Sequence, residues 1–316
     1  MITDLPVFGI CGNAGSGRTT LIEQLVPRLR EKGLHVAVMR QRSAAGRFEL
    51  RALELAFAHD LVLVEGGKSA PVPKVWLLVP HAAGRLAENE KAVASRMRGT
   101  EGVLAVLDMS ADRVSSVMAI LDDWLPKQWL RTPVFGCVLI GGESRRMGRP
   151  KHLLEQDGRK WLERIVDCLR QVTERVAILG EGVVPQTLSD CIGLPDVPDA
   201  KGPLAGILAA MRWAPEASWL VAACDLPYLS VEALQWLLSM RRPGVWATLP
   251  RLPGSPGVEP LLAHYDCRAR LLLEQVVARG EFRPSLITLS PKVITPTPPL
   301  ALCPAWTNVN LPEELP

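Results

Sequence analysis

The sequence predicts an α/β protein built from two doubly wound domains, and three observations carry that expectation. The chain has 316 residues, about twice the ~150-residue prior for a single domain. Short apolar runs alternate with helical patterns along its length. A strand-like run that enters a glycine loop and then a helix occurs twice: Pro6–Cys11 runs into Gly12, and Pro133–Ile140 runs into Gly141-Gly142.

In the first half, Pro6–Cys11 reads as a strand and about Gly17–Lys32 as a helix, with Gly33 where a helix-terminating glycine belongs. Leu34–Arg40 is a second strand and Arg47–Ala58 a helix. Strands follow at Asp60–Glu65, Lys74–Val79 and Val103–Asp108, and a helix near Ala111–Leu125 closes the unit. Pro126–Pro133 has a proline at each end and no clear period, so it reads as a linker. The expected division is therefore 1–125, a linker 126–133, and 134–316. In the second half, helical patterns cover Trp161–Val172, Pro203–Arg212, Val231–Met240 and Arg268–Arg279. The first presents Leu162, Ile165, Val166 and Leu169 on one apolar face. Apolar runs at Arg175–Leu179, Trp219–Ala223 and Val245–Leu249 lie between the helices. This alternation indicates a mainly parallel sheet covered on both faces, with ligands beyond the carboxyl ends of the strands, where both glycine loops fall.

Hydrophobic residues at 48% and charged residues at 22% exclude a disordered chain. Lys and Arg total 36 against 33 Asp and Glu, a formal charge of +3, which argues against general nucleic-acid or anionic-membrane binding. The seven cysteines show no C-x-x-C spacing and no nearby His at zinc spacing, so buried free thiols in a reducing cytoplasm are expected. The start lacks a signal-peptide pattern. The apolar runs are far below the roughly 20 residues that span a bilayer. A soluble cytoplasmic protein is the expectation.

The first glycine loop, Gly12-Asn13-Ala14-Gly15-Ser16-Gly17-Arg18-Thr19, has the spacing of the phosphate-binding P-loop, G-x-x-x-x-G-K-[ST], with Arg18 in the lysine position. Glycines let successive backbone N–H groups point inward, and the following helix offers its positive end. Arginine keeps the charge but is longer and planar, so the exchange is not neutral. Gly12, Gly17, Arg18 and Thr19 are thus candidates for a nucleotide site, against the alternative of a P-loop fold kept as scaffold. With Val64-Glu65-Gly66-Gly67-Lys68, this half resembles the molybdopterin-guanine dinucleotide biosynthesis adaptor family, small P-loop GTP-binding proteins. Members usually carry a Lys-His stretch and further His and Asp residues after the second strand. Here Arg40 to Arg47 has none of these, so a degenerate domain with little or no GTP hydrolysis is expected.

The second loop, Leu139-Ile140-Gly141-Gly142-Glu143-Ser144-Arg145-Arg146-Met147-Gly148-Arg149-Pro150-Lys151, joins two glycines to four cations. Such a gathering of positive charge suits an anion such as a triphosphate. Its spacing resembles the Leu-x-Gly-Gly-x-Ser-x-Arg-Met-Gly-x-x-Lys signature of molybdenum cofactor guanylyltransferases. Further likenesses follow in order: Gly202-Pro203-Leu204-Ala205-Gly206, Cys224-Asp225-Leu226-Pro227-Tyr228, Glu259-Pro260-Leu261 and Asn308-Val309-Asn310-Leu311-Pro312-Glu313. The resemblance implies a Rossmann-like nucleotidyltransferase domain that transfers GMP from GTP to the molybdenum-molybdopterin cofactor and releases pyrophosphate.

It also implies roles. Lys151, Arg145 and Arg146 would neutralise the phosphates, and Asp225, at a strand's carboxyl end, would hold Mg2+. Leu139, Ile140, Gly141 and Gly142 would hold the nucleotide through their backbone. Asp196 would contact it, with Asp199 as a competitor because the intervening loop is one residue short. Asn308 and Asn310 would line the acceptor side, the alternative being turn-forming residues. Apo-molybdoenzymes or their chaperones are further implied partners.

His152 reads as solvated, and Ser144 has no partner at triad spacing. Trp161, Trp213, Trp219 and Trp236 read as packing, and Trp306 as a border of the pterin site. Two other readings stand: cytidylyl transfer to the same pterin, which the Gly-Gly pair disfavours by resemblance, and a non-catalytic pterin-binding chaperone.

Overall fold

The computed structural model describes residues 5–40, 45–66, 70–79, 88–108, 112–141, 151–156 and 158–309. The chain forms two compact units, Met1–Thr132 with Arg242–Gly244, and Pro133–Arg241 with Val245–Pro316.

The first unit runs β1 (Val7–Gly12), α1 (Arg18–Glu31), β2 (Val36–Arg40), α2 (Ala45–Ala56), β3 (Leu61–Glu65), β4 (Lys74–Leu77), α3 (Glu88–Arg98), β5 (Val103–Leu107) and α4 (Arg113–Trp129). Its five strands are all parallel, in the order β2-β3-β1-β4-β5. Strand alternation divides the core. Phe8, Ile10, Leu63 and Val75 pack with Leu25 of α1 and Val117 of α4. Val7, Val62 and Val64 pack with Phe48 and Ala52 of α2. Cys11, Trp76 and Leu78 meet Ala94 of α3. The central β1 is buried throughout and delivers the Gly12–Thr19 loop at its carboxyl end, where the sheet order reverses and an open crevice forms.

The segment read as a linker is a correction. α4 continues through Pro126 to Trp129. Leu125, Gln128 and Trp129 are buried, and that packing outweighs the backbone hydrogen bond an internal proline forfeits.

The second unit runs β6 (Val134–Leu139), β7 (Glu155–Gln156), β8 (Arg159–Lys160), α5 (Trp161–Arg170), β9 (Arg175–Leu179), β10 (Ile192–Leu194), α6 (Pro203–Trp213), β11 (Ser218–Ala223), α7 (Val231–Ser239), β12 (Ala247–Thr248), β13 (Leu262–Tyr265), α8 (Ala269–Ala278) and β14 (Val293–Ile294). Its sheet has the order β10-β9-β6-β11-β13-β12-β14. It is mainly parallel, as expected, with β13 as the one strand that runs against the rest. β13 pairs antiparallel with both β11 and β12, because no crossover helix separates β12 from β13. The apolar face read for α5 is realised: Leu162, Ile165, Val166 and Leu169 are all buried.

Among the described residues no helix is long and apolar enough to cross a membrane. All seven cysteines are free; Cys11, Cys137, Cys224 and Cys267 are buried, while Cys168, Cys191 and Cys303 are half-buried.

Candidate active site

In the second unit the site grows from the ends of four adjacent parallel strands, β10, β9, β6 and β11. β6 ends at Leu139, and Ile140 donates its backbone N–H to Leu179 O at the end of β9 (2.9 Å). Gly180 then donates to Leu194 O at the end of β10 (3.0 Å). On the other side Cys224, just beyond β11, donates to Leu139 O (3.1 Å). These ties bring Ile140, Gly180 and Asp225 to one edge of the sheet.

Lys151 and Asp225 meet there. The ammonium Nζ lies 3.1 Å from Asp225 Oδ2, with the two side chains 17% and 20% exposed. A partly shielded pair of this kind can trade its mutual contact for a phosphate on the lysine and a cation on the carboxylate. Val309 donates its N–H to Asp225 O (3.1 Å), which fixes exposed Asn308 beside this point. Neighbouring Cys224 is buried, and burial pushes its thiol up to about 12.

Beside the pair opens a cleft of about 530 Å³, lined by Leu139, Ile140, Gly141, Glu181, Pro195, Asp196, Gly202 and Pro203. Four residues singled out from the sequence (Leu139, Ile140, Gly141 and Asp196) therefore share one wall. The described lining includes two carboxylates and no cation. Partial desolvation, and then the charge of Glu181, hold the Asp196 carboxyl above its usual pKa. Asp199 is not part of this wall: Arg212 grips it with two bonds of 2.7 and 2.8 Å.

Glu181 was missed by sequence reasoning, although its place in Gly180-Glu181-Gly182 directly after a strand marks a strand-end turn. His152 is a correction. It is 4% exposed, not solvated. Its Nε2 lies 3.0 Å from Val183 O, joining the turn that carries Lys151 to the loop that carries Glu181. Burial lowers its pKa, and Gly182 leaves room for the ring, since a Cβ there would stand 3.0 Å from Cε1. Trp306 is a second correction. It is 2% exposed, donates Nε1–H to Leu262 O (2.9 Å) and meets Trp236 edge to face, so it belongs to the core. Trp161 and Trp219 are fully buried, and Trp213 is 40% exposed but packs on Phe135 and Trp219. Gly142, Arg145, Arg146 and Asn310 lie outside the described residues.

In the first unit the Gly12–Thr19 loop leads into α1 through Gly17, which stands at φ 80°. At Gly12 a side chain would strike Leu77 O at 2.6 Å, so the chain can pass there only as glycine. Thr19 Oγ1 donates to Glu65 Oε1 (2.5 Å), and Arg40 Nε donates to Glu65 Oε2 (2.7 Å). Burial alone would raise the Glu65 carboxyl, but the Thr19 hydroxyl and then the Arg40 guanidinium outweigh it and hold it below the usual range. Arg113, which nothing in the sequence marks, fastens the loop. Its guanidinium donates to Ser16 O (2.7 Å), Leu78 O (2.6 Å) and Asp108 O (2.8 Å). Gly67 and Lys68 lie outside the described residues.

A glycine turn, a lysine–aspartate pair and a polar cleft at the carboxyl edge of an α/β sheet define a small-molecule site of the nucleotide-handling class. Comparison with known proteins narrows the class. The family described as MobA-like NTP transferase domain matches residues 136–284. The family described as Molybdopterin guanine dinucleotide synthesis protein B matches residues 7–52. A probable molybdenum cofactor guanylyltransferase of Bacillus cereus (strain Q1) is 30% identical over 190 residues, covering 57% of this chain and 92% of that protein. A molybdenum cofactor biosynthesis bifunctional protein of Synechocystis is 35% identical over 120 residues, and the match spans 37% of this chain and only 35% of that protein's length. Among solved structures, molybdopterin-guanine dinucleotide biosynthesis protein A of Archaeoglobus fulgidus is 24% identical, covers 57% of this chain and 94% of its own, and has a TM-score of 0.47. The chain belongs to the MobA-like nucleotidyltransferases, with a domain of the synthesis protein B family at its amino end.

Proposed function

We propose that the second unit transfers GMP from GTP to the molybdenum-bearing pterin phosphate, giving the guanine dinucleotide cofactor and pyrophosphate. The observation that carries this reading is the division of charge along one edge: the Lys151–Asp225 pair at one end and the acid-lined cleft of Leu139–Gly141 and Asp196 at the other. A triphosphate is repelled by the cleft and attracted to Lys151, so the base occupies the cleft. Guanine suits the two carboxylates, since it presents donors at N1 and N2, whereas cytosine and adenine each offer a ring-nitrogen acceptor beside a single amino donor.

In the reaction an oxygen of the acceptor phosphate attacks the α-phosphorus in line. The bond to the bridging oxygen of the β-phosphate breaks, and pyrophosphate leaves with that electron pair. Lys151 donates hydrogen bonds to the phosphates. The donor set fits magnesium, which takes one or two carboxylates together with phosphate oxygens and water, and Asp225 would hold it. When bound, magnesium offsets charge on the phosphate oxygens. Arg145 and Arg146 would add positive charge, and Asn308 with Asn310 would face the acceptor.

The test is transfer by the full chain with GTP, CTP or ATP, magnesium and the pterin, read as pyrophosphate released. GTP is expected to be preferred by at least about tenfold, ~1.4 kcal/mol; equal use of CTP would overturn the guanine assignment. Lys151→Ala is expected to weaken GTP binding by about 1.5–3 kcal/mol, the worth of a charged hydrogen bond, measured by calorimetry.

The first unit we propose as an assisting domain with little or no GTP hydrolysis. Arg18 cannot thread between phosphates as a lysine does, and the Thr19 hydroxyl and Glu65 carboxylate are engaged with each other and with Arg40. In the full chain carrying Asp225→Asn, release of inorganic phosphate from GTP should stay near background, and Arg18→Lys should tighten GTP binding at this loop. Robust phosphate release by the Asp225→Asn chain would refute the assignment.

A further inference from the structure

We propose that the first unit carries a second binding site, between α3 and the sheet, which takes a fused-ring heterocycle bearing an anionic group. The space is a hollow of about 480 Å³ over β4 and β5, within the ~300–1,000 Å³ range of small-molecule sites. Protein interiors are close-packed, so a hollow on a sheet face needs a cause. The cause is α3, whose sequence Glu-Asn-Glu-Lys-Ala-Val-Ala-Ser-Arg-Met-Arg offers Ala94 as its one fully buried apolar residue among those described. The helix lies over the sheet without filling it.

Two cations line the hollow, Lys74 from the sheet and Arg96 from α3, and the described lining contains no acid. Lys74 is the unusual one. It stands on a strand hydrogen-bonded on both sides and is 5% exposed, a position lysine almost never occupies. Its ammonium donates to Ala70 O at 2.5 Å, and burial lowers its pKa. The lining also includes Trp76 and Met97 with two valines, an apolar and polarizable set, which favours a flat aromatic ring over an aliphatic chain. Asn13 and Thr100 complete the polar lining, the Thr100 hydroxyl donating to Arg96 O (3.0 Å). Asn13 also ties the hollow to the phosphate-binding loop, since its Nδ2 donates to Glu90 Oε1 of α3 (3.1 Å).

This chemistry matches the pterin phosphate that the proposed transfer consumes, so the hollow would hold the acceptor on the first unit. The inference rests on that reading for the identity of the ring only, and its binding test needs no turnover. The probe is pterin-6-carboxylate, titrated by its own fluorescence into the full chain, with neutral pterin and inorganic phosphate as single-feature controls. We expect a saturable phase that Asp225→Asn keeps. Arg96→Gln and Lys74→Met should each weaken it by about tenfold or more. Neutral pterin should bind at least about tenfold more weakly, and equimolar phosphate should not displace the probe. Arg96 is exposed on α3, so its variant tests the site even where Lys74→Met disturbs the fold. Absence of a saturable phase, or its survival undiminished in Arg96→Gln, would overturn the proposal. So would its loss in Asp225→Asn, which would place the ring in the second unit. Binding of this pattern in a chain that fails to transfer GMP would sustain this site and refute the transfer reading.

Discussion

Asp225→Asn is expected to lower nucleotidyl transfer by about 10²–10³, the size of effect seen when one preorganised electrostatic partner of a transition state is removed. The carboxylate stands beyond the end of β11, a strand buried along its whole length, and its own carbonyl accepts the Val309 N–H. The backbone position is thus fixed independently of the side chain. Asparagine has nearly the same shape, so the fold should hold and the melting temperature should move little. What changes is charge: a neutral amide is a poor ligand for a hard cation, and it also loses the ionic contact to Lys151. The measurement is pyrophosphate release against magnesium concentration, with thermal unfolding as control. Near-normal turnover at low magnesium would remove Asp225 from the metal role.

Gly180→Ala is expected to be the most damaging single methyl in the second unit. Gly180 stands at φ 97°, where an L side chain is strained by roughly 1–2 kcal/mol. The added Cβ would also fall 2.3 Å from Ile140 O, and that is backbone, which cannot swing aside. The residue that must move is part of the cleft wall, so stability and nucleotide binding should fall together. Gly158 supplies the control. Its φ is 75°, and an added Cβ there meets nothing within 4 Å, so Gly158→Ala carries the strain without the collision. Urea unfolding should show Gly180→Ala costing at least about 2 kcal/mol more than Gly158→Ala, as overpacking of a filled site does. Equal losses would mean that the close approach to Ile140 has no energetic weight.

Much of this architecture was written locally. The strand–glycine–helix order places Gly12 and Gly141 at strand ends because an apolar run, a residue free of Cβ and a 3.6-residue period are each legible over a few positions. For the same reason α5 and its apolar face were read correctly. The motif residues Leu139, Ile140, Gly141 and Asp196 fall on one cleft although 54 residues separate Gly141 from Asp196. Their spacing could nominate them, but parallel pairing of β6 with β9 and of β9 with β10 brings them together.

Other features depend on partners distant in sequence, and no local pattern encodes them. Pro126 marks a break in any single-chain reading, yet burial of Leu125 and Trp129 carries α4 past it. His152 looked like a surface residue until Val183 and Gly182, about thirty positions on, closed around it. Trp306 stands beside the expected acceptor segment in sequence, but its indole turns into the core to reach Leu262 O. Arg113 holds the phosphate loop through carbonyls, which every residue possesses and none advertises. The sequence by itself determined the strand and glycine loop that open each unit and most of the longer helices and central strands, because propensity and period act over a few residues. Helix α3 and strands β10, β13 and β14 carry too weak a local pattern and were not read. The tertiary structure alone decided which side chains are buried and which carboxylate meets which cation. Desolvation and charge pairing are set by neighbours in space, and the chain supplies those neighbours only once it has folded.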